Sequence, residues 1–111
     1  MIRKIDWKVY SNNKLIIDNN NVKCNLDSSN IIEFKDEYGK HIIDLENKTY
    51  SKVGNDNKMV IDFIAKTCEF IFEKNEKCTF DIDCNIKIKE NHIEILYSFD
   101  QDEKKILIES K

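Results

Sequence analysis

A chain of 111 residues with 41% hydrophobic and 10% aromatic residues is long enough for one domain with a core of its own and too apolar for a disordered segment. Its 18 basic residues stand against 21 acidic ones, and the formal charge of −3 argues against a nucleic-acid binder or a polybasic membrane-surface protein. Arg3 is the only arginine, which further weakens bidentate recognition of phosphates or bases. The expectation is a single domain over residues 1–111 with neither a nucleic-acid nor a membrane partner.

Charges interrupt the first residues, Ile2-Arg3-Lys4-Ile5-Asp6-Trp7, so no secretory apolar stretch is present and a cytoplasmic location is expected. Ile5, Trp7 and Val9 then alternate as the inward set of a first strand. Polar clusters punctuate the rest of the chain: Ser11-Asn12-Asn13, Asn19-Asn20-Asn21, Asp27-Ser28-Ser29-Asn30, Gly54-Asn55-Asp56-Asn57 and Asp100-Gln101-Asp102. Asn and Asp tolerate left-handed turn geometry, and a spacing of roughly ten residues suits an antiparallel meander.

Met59 to Phe72 admits two readings. Its apolar residues fit a helical stripe over about 57–73, which would make the fold α+β. Its Ile, Phe and Val content, and the alternation of Cys68, Phe70 and Phe72, favour two strands breaking near Ala65-Lys66. Downstream, Cys78, Phe80, Ile82, Cys84, Ile86 and Ile88 alternate with polar residues in one long strand. Ile93, Ile95, Tyr97 and Phe99 repeat the pattern, and Ile106 and Ile108 mark a last strand. The expected fold is all-β, a small antiparallel up-and-down barrel or strongly curled sheet of roughly eight to ten strands.

Cys24, Cys68, Cys78 and Cys84 form no C-x-x-C pair and lie at no zinc-finger spacing from His41 or His92. All four fall on apolar sides of alternating segments and read as reduced, buried thiols. Asp81 and Asp83 share a polar strand face, and His92 sits beside Glu90 and Glu94; a solvated surface accounts for each. His41 is uninformative. No phosphate loop or nucleophile motif occurs, so no metal, cofactor or catalytic residue is assigned and no enzyme is expected.

The order of segments resembles the YwiB-like proteins, an uncharacterised bacterial family. The likeness is carried by Ile31-Ile32-Glu33-Phe34-Lys35-Asp36-Glu37, by Gly39-Lys40 leading to Lys48-Thr49-Tyr50, by Lys52-Val53-Gly54 with Lys58-Met59-Val60 after it, and by His92 to Phe99 and Lys105 to Glu109. It spans about residues 14–109, without the Thr-Pro-x-Gly turn of that family between Phe63 and Phe70. The resemblance implies a calycin-like barrel and supplies no catalytic residues.

Two roles suit such a chain. The first is a non-catalytic barrel holding a small apolar ligand against Trp7, Phe70, Phe80, Tyr97 and Phe99. The second is a protein-interaction module, an adaptor, inhibitor or subunit with a filled core. It would act through Leu96 and Leu107, which break the polar side of their strands.

Overall fold

Strict alternation lets each strand bury one face and wet the other, and here it is sustained around a nearly closed barrel. A computed structural model describes residues 2–26 and 30–110, and among these there are eleven strands. They are β1 (Ile2–Ser11), β2 (Lys14–Leu26), β3 (Ile31–Asp36), β4 (Gly39–Asp44), β5 (Thr49–Val53), β6 (Asn57–Asp62), β7 (Thr67–Phe72), β8 (Lys77–Asp81), β9 (Asp83–Lys89), β10 (His92–Phe99) and β11 (Asp102–Ser110). All pair antiparallel in the order β8-β7-β6-β5-β4-β3-β2-β1-β11-β10-β9. Among the described residues no helix is long and apolar enough to cross a membrane.

The helical alternative at 57–73 is not realised: β6 and β7 occupy that span, and the chain reverses at Phe63 to Lys66. The strand count exceeds the expected eight to ten because the alternating segment from Cys78 to Lys89 is two strands, not one. Its side chains alternate throughout, but the hydrogen bonding changes partner at Ile82: β8 pairs with β7, and β9 pairs with β10. One extended segment thus serves both edges of the sheet. Lys66 laces the seam, its carbonyl accepting the Ile82 N–H at 3.1 Å and its Nζ donating to the Cys84 carbonyl at 2.7 Å.

Two turns share a sequence pattern, Ile43-Asp44-Leu45-Glu46-Asn47-Lys48-Thr49 and Ile61-Asp62-Phe63-Ile64-Ala65-Lys66-Thr67. In each the aspartate Oδ1 accepts two backbone N–H groups, from Glu46 and Asn47 or from Ile64 and Ala65. Each then ends on a left-handed lysine, Lys48 at φ 55° and Lys66 at φ 57°. The carbonyls of left-handed residues link one turn to the next: Asn30 accepts from Leu45, Lys48 from Phe63, and Lys66 from Ile82.

The Asn19-Asn20-Asn21 cluster is not a turn. β2 runs through it with a bulge, Asn21 at φ 58° giving its N–H to Asp6 Oδ1 at 3.2 Å. The Asp27–Ser29 part of the next cluster lies outside the described residues. Of the four cysteines, Cys24, Cys68 and Cys84 are buried but Cys78 is exposed. Cys78 stands opposite Phe70 on the short strand β8, whose residues are mostly exposed, so alternation there meets no covering layer.

The core contains Ile5, Trp7, Phe34, Ile43, Tyr50, Ile61, Cys68, Ile95, Ile106 and Ile108. Among the described residues one ladder is unusually short: β2 and β3 share only Asn25↔Glu33 and Leu26↔Ile32. Beyond those two rungs no ladder pair joins the strands among the described residues, and this split in the ladder leaves Ile16 and Ile17 of β2 and Asp36 of β3 lining one cavity.

Candidate functional site

The interior beside that split is aromatic and polar together. β1 contributes Trp7, β3 Phe34 and Asp36, β4 His41, and β5 Tyr50 and Lys52. Trp7 lies 4.8 Å from Phe34 and 4.7 Å from His41 between ring centroids. Phe34 stacks on His41 at 4.9 Å, and Tyr50 lies parallel to His41 at 6.0 Å. This aromatic column is buried throughout, each ring at most 3% exposed.

His41 is 2% exposed. Its Nδ1 is 2.8 Å from the Tyr50 hydroxyl, and its Nε2 is 3.0 Å from Asp36 Oδ1. Burial holds the imidazole pKa below its ordinary value, against the opposing pull of Asp36, so the ring is neutral. With the single ring proton on Nε2, facing the carboxylate, Nδ1 accepts the Tyr50 O–H. Burial also pushes the Tyr50 phenol well above its ordinary range.

The pairing is incomplete. The approach of Nε2 to Asp36 Oδ1 is too bent for a hydrogen bond, and the Trp7 indole N–H and Asp36 Oδ2 also lack protein partners. Asp36 Oδ1 does accept the Tyr38 N–H at 2.9 Å. Trp7, Asp36 and His41 all line one cavity of about 290 Å³. Ile16, Ile17 and Tyr38 frame it at the β2–β3 split, and Tyr97, Lys52 and Lys104 complete the polar wall.

The residues expected to touch a ligand divide into two groups. Phe70 lies 5.6 Å from Phe80 and 6.0 Å from Phe99, and Tyr97 lies 5.6 Å from Phe99, so these four form one cluster. Trp7 is apart from it, in the column with His41, but it shares the 290 Å³ cavity with Tyr97. Phe70 and Tyr97 line a second cavity of about 330 Å³, together with Lys52, Asn57, Met59 and Phe72. Phe80 and Phe99, partly buried against the core, touch Phe70 and do not line this cavity.

Leu96 and Leu107 are half-buried on the outer wall. Leu96 stands opposite Asn85 and Lys105, and Leu107 opposite Glu94 and Lys8, so polar neighbours flank both. Asp81 and Asp83 are exposed on either side of Ile82, and His92 Nδ1 is 3.8 Å from Glu109 Oε1 at the surface. Among the described residues no group of three or more His, Cys, Asp or Glu side chains is arranged to hold a metal ion.

Sequence reasoning missed Asp36, His41, Tyr50, Lys52 and Lys104. A signal existed for three of them: Tyr50 and Lys52 alternate with outward neighbours, and Lys104 lies two residues before Ile106. No protein-family model matches the chain, and no curated protein and no solved structure matches it, so the YwiB-like likeness stands on its short matching segments alone.

Proposed function

We propose that this protein is a non-catalytic, cytoplasmic β-barrel that binds a small ligand in the cleft at the β2–β3 split. One observation carries the reading: Trp7 Nε1 and Asp36 Oδ2 are buried with no protein partner, His41 Nε2 meets Asp36 without a well-aligned hydrogen bond, and all three residues line one cavity. Folded proteins leave few such groups, since each has given up hydrogen bonds to water. A ligand oxygen seated there accepts the Trp7 indole N–H. The remaining wall, Val9, Ile16, Ile17 and Ile106, is apolar and, with Met59, Phe70 and Phe72 of the second cavity, suits an apolar ligand body. The calycin-like resemblance agrees with a carrier role by analogy of fold.

Catalysis fits this site less well. The Asp36–His41–Tyr50 chain ends in a phenol that burial makes harder to ionise, and the Tyr50 hydroxyl occupies the imidazole nitrogen that a general base would need. An interaction module acting through Leu96 and Leu107 is also less well supported, because charged neighbours interrupt any apolar patch around them.

Native mass spectrometry of the untagged protein, compared with a denatured sample, tests the proposal. The expected result is an added mass that is lost on denaturation, with a melting temperature that rises when the released compound is returned. An apo mass, together with a melting temperature unmoved by small amphiphiles, overturns it.

A further inference from the structure

Resting on that ligand-binding reading, we infer that the cleft takes an elongated amphiphile whose anionic head lies between Lys52 and Lys104 and whose apolar body runs along Met59, Phe70 and Phe72. Both lysines occupy inward positions by register. Lys52 belongs to the cross-strand row His41, Lys52, Met59, Phe70. Lys104 stands in the row Ser11, Lys104, Tyr97, two residues from the buried Ile106.

Neither ammonium has a carboxylate within 4.0 Å among the described residues. The Lys104 Nζ donates to Ser11 Oγ at 2.7 Å, and the Lys52 Nζ lies 5.8 Å from the Tyr38 ring centroid. Asp36 is the one carboxylate on this wall, and it is already approached by His41 and the Tyr38 N–H. His41 is neutral, and burial keeps the Tyr50 and Tyr97 phenols protonated. Two cations against one anion make the cleft positive, in a chain whose formal net charge is −3. Half-buried ammonium groups with no carboxylate within reach are free to form charge-assisted hydrogen bonds with an incoming anion.

The second cavity supplies the place for the body. Lys52 and Tyr97 line both cavities, so the cationic end continues into the one walled by Met59, Phe70 and Phe72. Phe72 is 47% exposed at that end, an aromatic surface for an apolar tail to cover.

Trp7 is the only tryptophan and lies on the cavity wall, so its emission reports occupancy directly. The experiment titrates the wild-type chain with decanoate, decyl phosphate, decanol and decylamine. At least one of the two anions should bind roughly tenfold tighter than decanol, with decylamine weakest. The tighter anion identifies the head as carboxylate or phosphate. Lys52→Met and Lys104→Met, which keep the apolar stem, should each weaken the preferred anion roughly tenfold and leave decanol unchanged. Decanol binding as tightly as both anions overturns the anionic head while the ligand-binding reading stands. No emission change with any of the four probes, together with an apo native mass, overturns both. The headgroup series needs no variant, so a substitution that unfolds the chain does not decide the matter.

Discussion

Burying an imidazole between Phe34 and Tyr50 fixes its charge state as well as its position. His41 resists protonation in the folded chain but titrates near 6.5 when unfolded. Below that pH the unfolded state takes up a proton that the native state refuses, so stability falls as pH drops through 6.5. At the alkaline end burial acts on acids: the Cys68 thiol is pushed up from 9.0 to about 11 and the Tyr97 phenol from 10.0 to about 12. There the unfolded chain loses protons first, and stability falls as pH rises above 9.0. Urea midpoints across pH should therefore plateau between those limits and decline on both sides. A midpoint unchanged between pH 7 and 5, or between 9 and 11, contradicts this assignment. His41 is hard to read in the sequence because Ile42 and Ile43 come directly after it, and two adjacent apolar residues erase the alternation that tells inside from outside. Lys52 and Lys104 hold legible inward positions, but a charge at such a position reads as an exception until the cavity shows what it faces.

The turns decide how these strands meet. Lys66 and Lys48 occupy equivalent places in the repeated turn, yet only the Lys66 ammonium crosses the seam, to the Cys84 carbonyl. Lys66→Met should therefore lower stability by about 1 kcal/mol, the scale of one partly solvated charge-assisted hydrogen bond, while Lys48→Met stays near zero. Chemical denaturation of the two variants checks this, and equal effects would show that the seam bond is not what matters. Turn chemistry is only partly visible in the sequence. Asn12, Asn13, Asn91 and Asp100 adopt positive φ, as Asn and Asp readily do. Lys48, Lys66 and Lys74 adopt it too, and no residue-type preference singles out lysine for that role. The turns at Lys48 and Lys66 are legible instead from the aspartate four residues before each lysine, whose carboxylate gathers the backbone N–H groups. The bulge at Asn21 reads as a turn because a local φ > 0 serves both purposes.

For the molecule as a whole, alternation is enough to establish an antiparallel β-structure. It does not show that the segment from Cys78 to Lys89 changes partners at Ile82, because side-chain period records faces, not hydrogen bonds. Nor does it show the split between β2 and β3, where the proposed ligand enters. The β1–β11 ladder has a different consequence, for the order in which the barrel assembles. Every other ladder among the described residues joins strands that are consecutive in the chain, whereas this one matches Ile5 with Ser110 and Ser11 with Lys104. Nearly the whole polypeptide is the loop that must close before those contacts return anything, so the local hairpins form first and this zipper closes last. Ile106→Val, costing about 1 kcal/mol in the β11 core, should speed unfolding and barely change refolding, whereas Ile61→Val in the β5–β6–β7 hairpins should slow refolding. Stopped-flow folding arms measure both, and a refolding rate that falls with Ile106→Val would place closure before the rate-limiting step. Late closure leaves the β1 and β11 edges unpaired until the last step of folding, which is when a second molecule of the same chain can donate its β11 and make an exchanged dimer.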